Sequence, residues 1–148
     1  MDLKGIDMKL TYDNFKFYVG ETIEFCQTIE NDVKWIYSAM LKGDRYETYN
    51  KISGWTLGKV VCELEKLDNS DSNHFLSGDD YNLLRSITNE RNYLIHQIFR
   101  DFLYEKNCLE SVEYQTACSR LMNFHNRVKK LQNSVENVRL KAVKYYKK

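Results

Sequence analysis

Proline is absent from all 148 residues, and only six residues are glycine. With so little of the chemistry that makes turns, long uninterrupted helices are favoured over a turn-rich architecture of short strands. No apolar run approaches the roughly 20 residues that a membrane-spanning helix needs. The four cysteines, Cys26, Cys62, Cys108 and Cys118, show no C-x-x-C spacing. With the three histidines they form no recognisable ligand set, so neither zinc nor any other metal or cofactor is expected. Three of the cysteines fall on or near apolar helical faces, where Cys behaves as a small hydrophobe. The chain opens on no signal-peptide pattern, so a soluble, reducing, cytoplasmic setting with no membrane contact is expected. An excess of one charge is missing too: 22 basic residues face 21 acids.

The near-neutral total conceals an asymmetry. Before His74 there are nine Lys and Arg against thirteen Asp and Glu, whereas Arg120 to Lys148 holds nine basic residues and one acid, Glu136. Such a basic C-terminal end can attract an RNA backbone, and it can equally be the solvated face of a long helix.

Apolar spacing supplies the architecture. Phe15, Val19, Thr22, Cys26, Ile29, Val33, Ile36 and Met40 step by four and three, predicting a first helix from near Asn14 to Lys42, ended by Gly43 in a left-handed conformation. Arg45 to Gly54 reads as a connector with at most one helical turn. A second helix starts at the N-cap Thr56 and carries Leu57, Val60, Val61, Leu64 and Leu67. After the polar loop 68–73, Ser77-Gly-Asp-Asp80 caps a third helix expected to run to about Tyr104. Ten positions from Tyr114 to Tyr145 keep three-four spacing in the last helix. Its length suggests an end that outruns its neighbours, to pack on another subunit or project into solvent. The expected fold is all-α: a single domain over residues 1–148, an up-down four-helix bundle with a long C-terminal helix.

The third helix carries the chemistry. On a wheel of about 100° per residue, Leu84, Ile87, Leu94, Ile95, Ile98 and Phe102 share one face, with Arg91 in its middle. A cation in an apolar register costs folding free energy unless it is paired or used. His96 lies roughly 140° around from Arg91, and Asn92 stacks one turn below it. A guanidinium can hold a phosphate and imidazole can move a proton near neutral pH, the pieces needed for RNA cleavage by the adjacent 2′-hydroxyl. One Arg and one His are few for proton transfer at both oxygens, and a symmetric dimer would supply two of each.

Arg91-Asn92 followed by His96, on a late helix of a small helical bundle, resembles the HEPN superfamily, whose signature is Arg, then four to six residues, the first often polar such as Asn, then His. The resemblance implies a metal-independent endoribonuclease of toxin-antitoxin or phage-defence type, acting on RNA as a homodimer whose two motifs share one cleft. It implies Arg91 and His96 as catalytic residues and Asn92 as a supporting, phosphate-binding one, with a nucleotidyltransferase-like antitoxin as a possible partner. One subgroup has Tyr two residues after the His, as a target for modification; here Ile98 stands there.

Other readings stay open. Arg91 could pair with Glu63, Glu65 or an acid on the first helix, and His96 could be an ordinary histidine at the edge of a packed face. The chain would then be a non-catalytic binding or dimerisation module, or a helical adaptor whose last helix pairs with a partner. Arg120 and His125 repeat the spacing on the last helix, without the Asn, and read as solvated surface, as does Glu90.

Overall fold

The computed structural model describes residues 9–70 and 72–146. Asp71 of the polar loop and Lys147 and Lys148 of the basic end lie outside them. Among the described residues there are five α-helices and no strand. They are α1 (Tyr12–Met40), α2 (Arg45–Ile52), α3 (Leu57–Asp68), α4 (Gly78–His96) and α5 (Val112–Tyr145), with a single 3-10 turn at Cys108–Glu110 before α5.

All eight positions of the α1 seam are buried. Gly43 has φ +112°, two residues beyond the Leu41 C-cap. The expected caps are present: Thr56 Oγ1 accepts from the Lys59 N–H, and Ser77 and Asp80 form a reciprocal capping box. Asp68 closes the hairpin from α3 to α4. Its fully buried carboxylate accepts from the Phe75 and Leu76 backbone N–H groups at 2.9 and 3.1 Å and from the Tyr81 hydroxyl at 2.7 Å.

Arg45–Ile52 is a full helix, where one turn at most was expected. It lacks an apolar stripe, since Ile52 is its only buried residue. Asp44 caps it, Trp35 of α1 stacks on Tyr49 at 4.1 Å, and the Tyr49 hydroxyl bonds Asn31. Tyr46 and Tyr49 meet Trp35 while Ser53 accepts from Lys34, so α2 runs back down α1. That reversal changes the topology. With α3 rising again and α4 descending, α5 runs parallel to α1. Paired positions climb both helices together: Phe15 against Tyr114, Tyr18 against His125, and Asp32 with Arg139. In a plain up-down bundle of four the first and last helices would be antiparallel.

The α5 seam lies within the chain. Val128, Leu131, Val135 and Ala142 are buried, Arg139 pairs with Asp32 at 2.9 Å, and Phe75 packs on Tyr145 and Tyr146. At 1.5 Å per residue α5 is about 51 Å long, and its C-terminal half packs on its own chain where an overhang was expected. Lys129, Lys130, Lys141 and Lys144 are exposed along it. Among the described residues, no helix is long and apolar enough to cross a membrane.

Candidate functional site

α4 ends eight residues before the expected Tyr104. The Tyr93 carbonyl accepts from both the Gln97 and Ile98 N–H groups, at 2.9 and 3.0 Å, which breaks the helical ladder. Tyr93 also donates its hydroxyl to Asp101, fastening the following turns to the helix. Burial, with this carboxylate second, raises the phenol above its ordinary pKa. The periodicity that suggested a longer helix has another cause. Ile98 and Phe102 are fully buried, but in turns, where Phe99 and Phe102 join Phe15 and Tyr114 in an aromatic cluster. His96 is therefore the last residue of α4.

The faces of α4 also differ from the wheel. Leu84, Ile87 and Leu94 are buried, whereas Ile95 is 47% exposed and Arg91 half-buried. Arg91 stands beside the apolar face, on a stripe with Thr88 and Ile95. This stripe forms one wall of a cleft of about 660 Å³. α1 contributes Glu30 and Lys34, and the connector from α2 to α3 contributes Ser53 to Thr56. Arg91, Asn92 and His96 all line this one cleft. The two polar residues are exposed, one turn apart.

Arg91 is paired with an acid on the first helix, Glu30, at 3.1 Å. Glu63 and Glu65 are taken by Lys66 and Arg85. Glu30 also faces the Lys34 ammonium at 3.6 Å, and Lys34 donates to the Ser53 carbonyl at 2.8 Å. One carboxylate between two cations leaves the wall with a net positive charge. Two buried polar atoms here, Thr88 Oγ1 and Arg91 Nε, have no hydrogen-bond partner in the protein. One turn before Glu30, burial pushes the Cys26 thiol up to about 12 despite the opposing pull of Arg91.

Comparison with family models, with curated proteins and with solved structures gives no match. The geometry therefore stands on its own.

The second Arg-His pair does not converge. Arg120 holds Glu90 through two bonds of 2.9 and 3.2 Å and lies over the Tyr93 ring at 3.4 Å. The bonds to Glu90 raise the pKa of its guanidinium. Glu90 is thus an ion-pair partner joining α4 to α5, where a plain surface residue was expected. His125 is 5% exposed, the reverse of the solvated flank read from sequence. Its ring packs edge-on to Tyr18 and lies 3.4 Å from Glu21. Sequence reasoning named three residues of the cleft and missed Glu30, Lys34 and Thr88. Lys34 falls beside the α1 seam with no periodic signal, and Thr88 reads as an ordinary helix residue. Among the described residues, no three His, Cys, Asp or Glu side chains cluster as metal ligands would.

Proposed function

We propose that this protein is a metal-independent endoribonuclease acting at the cleft lined by Arg91, Asn92 and His96. The observation that carries the reading is the convergence of these three residues on one open, positively charged cleft. The second Arg-His pair, identical in spacing, is split between an ion pair and the core.

The chemistry follows from the groups. An imidazole takes the 2′-hydroxyl proton as O2′ bonds to the adjacent phosphorus. The bond from phosphorus to O5′ breaks, and the leaving oxygen takes a proton from a second acid. The products are a 2′,3′-cyclic phosphate and a 5′-hydroxyl. Arg91 stabilises the charge that gathers on the phosphoryl oxygens, and Asn92 adds a donor. A single imidazole in the cleft favours a homodimer in which the His96 of a second copy is the other proton carrier. Ile95, 47% exposed and lining the cleft with His96, offers apolar surface for such a contact. This reading includes the HEPN-type bundle, a cytoplasmic toxin or phage-defence role and control by a nucleotidyltransferase-like antitoxin.

The Arg91–Glu30 pair supports a second reading, a binding module in which Arg91 is structural. Incubation with total cellular RNA and tRNA in excess EDTA separates the two. Cutting by the wild type that is lost in His96→Ala and in Arg91→Ala supports the nuclease. Equal cutting by all three refutes this site, and RNA left intact by every form favours the module.

A further inference from the structure

Building on the RNA reading, we propose that Lys34 and Thr88 join Arg91 in an oxyanion subsite on the wall of the cleft, where Glu30 is a resident counterion that an RNA phosphate displaces. Thr88 and Arg91 are one helical turn apart on α4. The Thr88 hydroxyl and the Arg91 Nε are both buried and both unsatisfied within the protein. Buried polar atoms without partners are rare in folded chains because each costs a desolvation penalty. Two of them on the same wall, both able to donate, suit a ligand that brings several acceptor oxygens.

Lys34 completes the set from α1. Its side chain is 9% exposed, an unusual place for an ammonium. Of its three N–H bonds, Ser53 O accepts one and Glu30 faces another. The third is left for an oxyanion. Glu30 occupies the position a phosphate would want, between the two cations, and holds them in place while the site is free of ligand. The shared chemistry is a tetrahedral, anionic phosphate, whether free or within a polynucleotide.

Binding is measured without turnover, by fluorescence anisotropy on a single-stranded 2′-O-methyl oligonucleotide, which lacks the 2′-hydroxyl nucleophile. Inorganic phosphate is titrated in parallel and read as a rise in melting temperature. Lys34→Met is expected to weaken oligonucleotide binding by about tenfold. It should also flatten the log–log salt dependence by about 0.7, the signature of one lost phosphate contact. Thr88→Val, which removes a neutral donor, is expected to weaken binding about threefold with the salt slope unchanged. Glu30→Gln should tighten it about threefold, while Lys34→Arg keeps the charge and most of the affinity. A purely structural role for Lys34 would lower melting temperature without touching the salt slope. Should Lys34→Met fail to fold, Lys34→Arg, Thr88→Val and Glu30→Gln carry the same test.

Unchanged affinity and salt slope in Lys34→Met and Thr88→Val overturn the subsite. So does a Glu30→Gln variant that binds no tighter yet stops cutting, which would make Glu30 a proton carrier. An acidic peptide that binds as tightly, with the same variant profile, also overturns it. Phosphate that stabilises the wild type alone, with oligonucleotide binding unaffected by Lys34→Met, restricts the site to small anions and refutes displacement by RNA. The expected binding profile without any RNA cutting keeps the subsite and removes the nuclease. Cutting that persists with both binding variants unaltered does the reverse.

Discussion

Replacing Asp68 with Ala removes the carboxylate on which the α3–α4 hairpin closes, and the structure allows the cost to be worked out. Three donors lose their acceptor: the Phe75 and Leu76 N–H groups and the Tyr81 hydroxyl. Tyr81 and Leu76 are buried at 1% and 5% exposure, so water cannot readily replace Asp68 there; Phe75 is only half-buried and can recover a partner. Two stranded buried donors at ~1.5 kcal/mol each, with a smaller loss at Phe75, give about 3–4 kcal/mol. Relief from holding a charge away from water offsets about 1 kcal/mol, leaving a net loss of about 2–3 kcal/mol. For a chain of this size that is a fall in melting temperature of about 4–12 °C. Urea unfolding followed by helical circular dichroism measures it, together with Tyr81→Phe, expected at about 1 kcal/mol, and the double variant. The two changes should be less than additive, because both remove the same bond. A loss below 1 kcal/mol for Asp68→Ala, or strict additivity with Tyr81→Phe, would refute this account of the hairpin.

Gly20 lies inside α1, and a Cβ added there meets nothing within 4 Å. Gly20→Ala should therefore raise stability by about 0.5–1 kcal/mol in the same urea assay, through helix propensity alone. Cys26 is buried and its thiol pushed up to about 12, whereas Cys62 is exposed. In the native protein, mass spectrometry after iodoacetamide should find Cys62 alkylated and Cys26 untouched. The pH dependence follows with a definite sign. Because the folded thiol titrates above the unfolded one, the folded state keeps a proton that the unfolded state gives up. Stability from Cys26 is complete below about pH 9 and declines as pH rises toward 12. A Cys26→Ser variant should lose less stability than the wild type across that alkaline window.

The seams were legible because a helix buried along one stripe must repeat its apolar residues every three or four positions. All eight α1 positions read from sequence are buried, and on α5 only Val138 and Tyr145 of ten keep substantial exposure. Caps were legible for a similar local reason, since Thr56 and Ser77 bond donors only three residues away. What escaped the sequence depends on contacts made at a distance. α2 has no stripe and is held by Trp35 and Asn31 from another helix. The end of α4 is set by how Ile98 and Phe102 reach the aromatic cluster, an arrangement that a helix and a string of turns can supply with the same spacing. His125 has a polar label but sits against Tyr18 and Phe25. At the cleft, Arg91, Asn92 and His96 could be named because they lie on one helix. Glu30 and Lys34 could not, because only the approach of α1 to α4 brings them there.

The parallel course of α1 and α5 has a consequence for how the chain comes to be folded. The α1 seam emerges first during synthesis, but the helix that lies along it is made last. At roughly 5–20 residues per second, the interval between the end of α1 at Met40 and the end of α5 at Tyr145 is about 5–20 s. Through that time Phe15, Tyr18 and Asp32 wait for partners about a hundred residues away, Tyr114, His125 and Arg139. A helical protein that closes by such distant contacts folds more slowly than its secondary structure suggests. Its nascent chain carries an uncovered apolar stripe, the kind of surface that chaperones bind, until the last helix is complete.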